Sequence, residues 1–538
     1  ELEEERIARS NWARYEYCKA RGHAAFCERA KMLEGMYAGG GLQWRDEDKD
    51  ALEDEGRFPI ELNEVFDAIN SALGNQIQNR VDIAFRARNS QATDDMATVL
   101  SKVAMQIADN NQFRHKETQV TGDGFIQSRG YFDLRVDYSD SLTGEIRLET
   151  LDPMDVIPDP DGKEYDPDSW RDVIITRWMS LDDIEAAYGR IAREKIELEL
   201  GQNPCSEDDF GEGEGDAVIR NRFGDQSAIG QHHDLDESMF GTGHIMVRVI
   251  DRQHWRMTPT DIVLYPSGDI RVIEDASETQ LQAARNAGGI MFRRPTKRVR
   301  WTVSTYGGVL LHDDWSPYQH FTVIPFFPYF RRGLTRGLVD NAVGAQEMLN
   351  KAASQFVHII NTLANSGWTV EQNSLTNMST EELEENGAAT GLIIEYKKGS
   401  TKPEKITANQ VPSGIEHLLQ LGSAKIRTIT GITDSFRGQP VGSNQSGRAV
   451  QALQYGSQLA LSVPLDNLAR TRHMVAGRML SLIQSFMDAP QVMRIVQTAV
   501  DGGESTEDLQ LNWPDPETVD GVLNDLTIGE YDAVVTEK

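Results

Sequence analysis

Phe326-Phe327-Pro328-Tyr329-Phe330-Arg331-Arg332-Gly333-Leu334-Thr335-Arg336-Gly337-Leu338 runs directly into a helical pattern that lasts from Asp340 to Asn365. Asp340, Gly344, Glu347, Lys351, Ser354, His358, Asn361 and Asn365 recur there at steps of three and four, as one polar or small stripe. Leu349, Ala352, Ala353, Phe356, Ile360 and Leu363 fill the opposite face. Both stripes follow from the helical period. At 1.5 Å per residue the helix is roughly 39 Å long, about seven turns. A surface helix packed on a core is the plain reading. Its neighbours in the chain point further.

Upstream, residues 244–330 read mostly as strands, over 245–255, 262–265, 270–273, 298–304 and 309–311. A short helix over 277–287 ends at Gly288-Gly289. Downstream, Gly367-Trp368-Thr369-Val370 reads as a strand, Ser379 and Glu382 spell a capping box, and 392–396 is a strand. Residues 413–430 form a helix that ends at Gly431. Helices over 445–462 and 465–488, or one helix kinked at Pro464, come next. Tyr531-Asp532-Ala533-Val534-Val535 has the pattern of a strand.

The N-terminal part reads as helices over 5–35, 61–84 and 93–110, with Gly39-Gly40-Gly41 breaking the first. Strands follow over 118–120, 124–138, 144–151 and 173–179, with a turn at Ser141-Leu142-Thr143-Gly144. Ser180 starts another helix, with Asp183 at the capping-box position. Residues 203–243 break the composition with Glu207-Asp208-Asp209, Gly211-Glu212-Gly213-Glu214-Gly215 and His232-His233. They read as a flexible acidic loop or linker, and the His pair as exposed rather than metal-binding.

At 538 residues the chain exceeds one ordinary core, so several structural units are expected. Mean hydropathy is −0.47, and no apolar run reaches the ~18–20 residues that span a bilayer. Cys18, Cys27 and Cys205 are odd in number and lack CxxC spacing, which argues against a disulfide framework or zinc site. Net charge is −30, from 84 acidic and 54 basic residues. Such a chain repels duplex DNA on average, which argues against a repressor or a clamp that grips phosphates. It suits a conduit, and equally a charge that only aids solubility.

Catalytic signatures are weak. Gly442-Ser443-Asn444-Gln445-Ser446-Gly447-Arg448-Ala449 nearly spells a phosphate loop. Arg448 and Ala449 replace its Lys and its hydroxyl, so a glycine-rich helix entry is the better reading. Asp159-Pro160-Asp161-Gly162 lacks the further ligands of a calcium loop and reads as a turn. No pair of carboxylates stands out for acid–base work. Two basic groups do stand out. Arg293, Arg294, Lys297, Arg298 and Arg300 form the densest cluster, either a charged strand edge or a docking surface. Arg331, Arg332 and Arg336 sit at the mouth of the stripe helix.

Three ordered groups of residues carry a resemblance. The first is Asn63, Val65, Ile69, Gly74, Gln78-Asn79-Arg80, Gly122-Asp123-Gly124-Phe125, Asp137-Tyr138, Gly144-Glu145-Ile146, Asp152-Pro153 and Ile157-Pro158-Asp159-Pro160. The second is the aromatic strand with Gly337-Leu338, Gln346, Asn350 and Ser354. The third is Gly431-Ile432-Thr433-Asp434, Gly438, Gln445-Ser446-Gly447-Arg448-Ala449 and Pro464-Leu465-Asp466-Asn467-Leu468. In this order they resemble the portal proteins of tailed bacteriophages, of the podovirus type.

The resemblance implies an α+β, multidomain portal fold with wing, clip, stem helices and helical crown, assembling as a ring, usually a dodecamer. The expected division is a wing region over 1–200, a linker over 201–245, a clip-like region over 246–335, a stem helix over 336–366, a wing return over 367–440 and a crown over 441–538. A first stem helix, before the clip, is not evident; it would fall within 180–201 or be too short for the helical pattern to show. Arg336, Glu347, Lys351, Ser354, His358 and Asn361 would face the DNA channel, and Arg293, Arg294, Lys297, Arg298 and Arg300 would dock partners. Implied partners are further copies of the chain, double-stranded DNA bound transiently without sequence preference, the packaging motor terminase, major capsid and scaffold proteins, and a tail adaptor, with no membrane and no cofactor. The expected place is a capsid vertex of the virion, reached from the host cytoplasm during assembly. No enzymatic activity is implied, because the motor's ATPase is a separate protein. A head–tail adaptor is the rival structural reading. A terminase or helicase subunit would need a true phosphate loop and an acidic metal site.

Overall fold

The computed structural model describes residues 2–78, 82–88, 93–139, 144–202, 246–264, 270–273, 282, 285–286, 288–305, 308–364, 367–387, 391–406, 413–432, 459–498, 504–514, 522–526, 529 and 531–536. Helix and sheet are mixed, as an α+β chain requires. The helices are α1 (Leu2–Cys18), α2 (Ala24–Ala38), α3 (Asp46–Asp54), α4 (Glu64–Gln78), α5 (Asp94–Asn110), α6 (Phe113–Gln127), α7 (Leu181–Tyr188), α8 (Arg190–Gln202), α9 (Leu338–Ala364), α10 (Thr380–Asn386), α11 (Ser413–Thr430) and α12 (Ser462–Phe486). The first strands are β1 (Asp82–Ala87), β2 (Gly130–Asp137), β3 (Glu145–Leu151), β4 (Val156–Pro158), β5 (Asp172–Ser180), β6 (Met246–Leu264), β7 (Ile270–Ile273), β8 (Ile290–Thr305), β9 (Leu310–Trp315) and β10 (Val323–Phe326). The remainder are β11 (Tyr329–Arg331), β12 (Leu334–Arg336), β13 (Trp368–Thr369), β14 (Glu404–Lys405), β15 (Gln491–Thr498), β16 (Glu504–Leu511), β17 (Trp513–Pro514), β18 (Val522–Leu523) and β19 (Tyr531–Thr536).

The chain divides into two compact units, each built from separated stretches. Unit one comprises Glu1–Lys31, Asn75–Gly337 and Val463–Lys538; unit two comprises Met32–Gly74 and Leu338–Ser462.

Unit one rests on a sheet ordered β4-β5-β6-β8-β9, with β7 on the far end of β6. The first five residues of its β5 strand, 172–176, are buried on both faces, so Val173-Ile174-Ile175 reads as a continuous apolar run rather than an alternation. Val173 and Ile175 enter a core with Tyr131, Tyr165, Trp170, Phe321 and Phe327. Ile174, between them, faces Tyr15 and Cys18 of α1. A smaller sheet, β10-β2-β3, supplies Tyr131 and Val323 to the first core. The stretch expected as a crown contributes here. Arg478 of α12 donates to the carbonyls of Phe321 and Val323 at 2.7 and 2.6 Å, and Thr471 Oγ1 donates to the Pro325 carbonyl at 2.9 Å. The strand β19 pairs antiparallel with β1.

Gly337, the glycine of the aromatic-strand motif, has a packing reason. A Cβ there would lie 2.6 Å from the Phe125 carbonyl oxygen. Gly124 is similar, since a Cβ would lie 2.5 Å from the Phe326 ring. The backbone of α6 and the end of the aromatic strand approach too closely for any side chain at these positions.

In unit two, α11 packs along α9, with Gly422 against Leu349. A buried amide cluster ties residues 36–62 to α9. Asn350 Nδ2 donates to Gln43 Oε1 at 2.6 Å, Gln346 Nε2 to the Leu62 carbonyl at 2.6 Å, and Gln43 Nε2 to the Met36 carbonyl at 2.8 Å. The Leu62 N–H donates to Asn350 Oδ1 at 3.0 Å. Most polar atoms of these buried amides satisfy one another, while Gln346 Oε1 has no hydrogen-bond partner among the described residues.

Several sequence expectations hold. The helix over 93–110 is α5, with Thr93 as its N-cap. Both capping boxes, Ser180–Asp183 and Ser379–Glu382, form. The helix over 413–430 is α11. Others need correction. Residues 113–127 are helix, not strand at 118–120 and 124–127. The helix over 61–84 stops at Gln78, and Asp82–Ala87 is a strand. The pieces 245–255 and 262–265 belong to one long strand, β6, and 298–304 is the end of β8. Tyr396 makes only an isolated bridge to Leu375, so 392–396 is not a strand. Residues 180–201 hold two short helices separated at Gly189, whose φ is 89°. The acidic linker, most of the 277–287 helix, the phosphate-loop-like segment and the turn at 141–143 lie outside the described residues.

Candidate DNA-contact and docking surfaces

The helix α9 has two polar stripes, not one. The first is Gln346, Asn350 and Ser354, at steps of four, and it is buried. Ser354 Oγ donates to the Phe58 carbonyl at 2.6 Å. Ser354 was expected beside Lys351 on a channel face. It is instead 3% exposed, so it cannot meet a ligand outside the unit. The helical period detects a polar stripe but not which stripe is inside.

The second stripe is exposed or half-buried. Asn341, Gly344, Lys351 and Asn361 are exposed, and Glu347 and His358 are half-buried. Its charges are partly neutralised within the unit. Lys351 Nζ lies 3.0 Å from Asp48 Oδ2, and Arg45 Nη2 lies 3.5 Å from Glu347 Oε1. Such exposed pairs contribute little stability and exchange readily. In unit one, Arg336 is exposed on β12, opposite Tyr329. Arg331 and Arg332 are exposed too, and Arg332 takes a left-handed φ of 51° in the turn before β12.

The five-residue basic cluster lies on β8, whose partner β6 runs antiparallel from Val249↔Thr305 to Leu264↔Ile290. The strand β5 pairs with β6 only up to His254, and β9 with β8 only down from Arg300. Residues 255–264 and 290–299 therefore form a ribbon that leaves the sheet, joined near its end by β7. Pro259 and Pro295 are register partners. Neither has an N–H, so this pair is of the non-hydrogen-bonded kind, and both outer edges of the ribbon lose a donor there. That discourages adventitious strand addition.

Strand alternation splits the cluster between two faces. Arg294, Arg298 and Arg300 share one face, and Arg293 and Lys297 the other. Lys297 is committed to the ribbon's root. Its Nζ donates to the Asp168 carbonyl at 2.7 Å and lies 4.0 Å from the Trp255 ring centre. Burial lowers its pKa below the ordinary lysine range. Arg300 is also committed, donating to Asp313 Oδ1 at 2.8 Å beneath Trp315. Its pKa is raised, chiefly by that hydrogen bond. Arg298 also lies over the Trp315 ring, 4.8 Å from its centre. Arg256, not singled out from the sequence, sits directly opposite Arg298. Arg256 is 42 residues before Arg298 in the chain, and only the ribbon register brings them together. Beyond them on the same face lie Ile262 opposite Phe292 and Leu264 opposite Ile290, with Ile290 and Phe292 exposed. This face thus carries arginines near its base and apolar side chains at its tip, a composition suited to protein contacts.

No helix among the described residues is long and apolar enough to cross a membrane. Asp159, in the calcium-like turn, is occupied otherwise. Its Oδ1 accepts from Arg14 at 2.9 Å and its Oδ2 from the Arg171 N–H at 3.0 Å.

Comparison with known proteins agrees with the resemblance carried by the motifs. The phage P22-like portal proteins match residues 12–538. The portal protein of Acyrthosiphon pisum secondary endosymbiont phage 1 is 24% identical over 526 residues. The alignment covers 89% of this chain, which spans 65% of that relative's length. With nearly its whole length matched, the chain belongs to the phage P22-like portal protein family.

Proposed function

We propose that this chain is the subunit of a portal: a ring, of twelve copies, through which double-stranded DNA enters and leaves a capsid at one vertex. The carrying observation is the family match over residues 12–538. The geometry adds support. The exposed stripe of α9 offers Asn341, Lys351 and Asn361 with partly neutralised charge. Contacts of that kind touch phosphates without the steep affinity that many unpaired cations would give. On this reading α9 is the stem helix, with Lys351, Asn361, Glu347 and His358 toward the DNA, and Arg336, two residues before α9 in the chain, as a further DNA contact. The β6–β8 ribbon is the clip, docking the terminase motor during packaging and a tail adaptor afterwards. Major capsid and scaffold proteins surround the ring, assembled in the host cytoplasm and carried in the virion. The mechanism is mechanical and needs no catalysis or cofactor.

Electron microscopy of the purified chain is the test. Closed rings with a central hole of duplex width, ~20 Å, are expected. Monomers or dimers at micromolar concentration across a range of salt would overturn the reading. A ring that fails to sit in the capsid shell but joins portal to tail would favour the head–tail adaptor instead.

A further inference from the structure

We propose that α3 and the segment 391–406, both in unit two, are the two halves of one contact between neighbouring copies of this chain. The inference rests on the ring reading and adds which surfaces meet.

The helix α3 has nine residues and none is buried. A helix this short does not persist alone in water, so it must be held from outside. The helical period divides it into two faces. Asp48, Ala51 and Leu52, with Glu55 just beyond, line a hollow of 280 Å³ together with Lys351 and Gln355 of α9. Asp46, Glu47, Asp50, Glu53 and Asp54 are exposed. Asp48 pairs with Lys351 and Glu55 with Arg57. Asp50, Glu53 and Asp54 have no ion-pair partner among the described residues. Glu53 and Asp54 stand in the last turn, where the helix dipole disfavours anions, and no basic residue offsets them there. The side chain of Phe58 follows, 69% exposed.

The same unit carries a surface of opposite sign. Lys397, Lys398, Lys402 and Lys405 are exposed within nine residues of chain. The turn that presents them is fixed by its backbone. The Lys397 N–H donates to the Ser374 carbonyl at 2.9 Å, the Ser400 N–H to the Lys397 carbonyl at 3.2 Å, and Gly399 takes a φ of 101°. Ile393, Tyr396 and Ile406 are exposed around it, Ile393 at 74%. One surface is thus acidic with an aromatic beside it, and the other basic with three apolar side chains beside it. Lys397, Lys398 and Lys402 form no ion pair with α3 among the described residues of the protomer.

Two different, mutually complementary surfaces on one chain define a heterologous contact, the kind whose repetition closes into a ring. Copies of a chain with net charge −30 repel on average, so a contact between them needs local cations opposite local anions. The charges set register and exclude wrong partners, while Phe58, Ile393, Tyr396 and Ile406 supply area. The occupant is therefore a second copy of this chain.

The experiment is charge reversal in the full chain, read by native mass spectrometry at low and high salt. Variant one carries Asp50→Lys and Glu53→Lys; variant two carries Lys398→Glu and Lys402→Glu. Each changes only exposed side chains, and circular dichroism melting checks that each still folds. Each variant alone should lose assembled rings by about tenfold or more, since like charges then face each other. The chain carrying all four substitutions should recover them, because the two surfaces are again opposite in sign. Rings from either single-sided variant at the parent's yield would overturn the contact while leaving the ring reading intact. So would a fourfold variant no better than the two. A parent chain that forms no rings would overturn the ring reading, and the contact with it.

Discussion

Glu117 of α6 and Arg472 of α12, 355 residues apart in the chain, meet in a buried ion pair. Arg472 Nη2 donates to Glu117 Oε2 at 3.0 Å, and Nε donates to Oε1. Gln76 Nε2 donates to the same carboxylate at 2.9 Å. Removing one partner leaves a charge without compensation in the interior. Glu117→Gln or Arg472→Met alone should cost about 3–5 kcal/mol, whereas Glu117→Leu with Arg472→Met should recover most of it. Urea unfolding monitored by tryptophan fluorescence checks this. If the double variant is as weak as the single ones, the pair is not the stabilising feature.

Two histidines give unit one an acid limit above that of its carboxylates. Burial pushes His23 down to about 3, with Arg129 adding in the same direction. Burial, with Arg252 and Arg256 nearby, does the same to His254. The Nε2 of His23 donates to the Met154 carbonyl at 2.9 Å, which acts in the opposite direction and is outweighed by burial. In the unfolded chain both rings take a proton near ~6.5. Between that value and about 3 the unfolded state binds more protons, so stability rises with pH. It is complete above ~6.5 and falls progressively on acidification. Asp168 and Asp172, whose pKa values are lowered, add their loss as pH falls through and below the ordinary carboxylate range. The unfolding midpoint should therefore drop between pH 7 and 5, a window set by histidine titration, about 6.5. His23→Gln with His254→Gln should flatten that slope. An unchanged slope would assign it to other groups.

What the sequence could show depended on where each element's partners lie. Capping boxes at Ser180 and Ser379 involve neighbours three residues away, so they were legible. The helix α6 was not. Thr118, Val120 and Thr121 favour strands, and Val120, Thr121, Gly122, Gly124, Phe125 and Ile126 are all buried, so no amphipathic period remains to read. The strand β1 continued a helical pattern in the sequence, and its partner, Tyr531–Thr536, lies at the other end of the chain. The long strands β6 and β8 were cut in reading at stretches holding Pro259 and Pro295. Only their register shows that the prolines face each other without breaking the ladder. The candidate surfaces follow the same logic. Spacing put Lys351 on a stripe that is indeed exposed, but put buried Ser354 there too, and Arg256 needed the register.

The ribbon separates basic residues that anchor it from those that the proposed function gives to docking. Lys297 and Arg300 anchor its root through Asp168, Trp255 and Asp313. Arg256→Ser, Arg294→Ser and Arg298→Ser together should leave ring assembly intact and weaken binding of the packaging motor. The loss should be greatest at low salt, because exposed charges act mainly on encounter. Lys297→Ser with Arg300→Ser should instead lower the melting temperature. Surface plasmon resonance and thermal melting of the two variants read both outcomes. Equal motor binding by the first variant and the parent would reduce the arginine face to a solubilising one.

Lys351 offers the sharpest test of the channel reading. Its ion pair with Asp48 is solvent-exposed on both sides, so losing it should cost at most ~1 kcal/mol. Lys351→Glu places an anion beside Asp48 and Glu347 on the exposed stripe of α9, while the buried Gln346, Asn350 and Ser354 are untouched. The subunit should fold, and rings should form with unchanged subunit number. If this stripe faces the DNA, each copy now repels phosphate where it formerly offered a loose cation. Repeated around a ring, the repulsion acts on the duplex at every step. Packaging in a reconstituted motor assay should slow, and added salt should relieve it, since screening shortens the reach of exposed charges to about 8–10 Å. Lys351→Gln should lie between the parent and the Glu variant. Broken or altered rings would place the stripe between subunits rather than in a channel. Intact rings that package at the parent's rate, at low salt as well as high, would show that Lys351 meets neither DNA nor a neighbouring subunit.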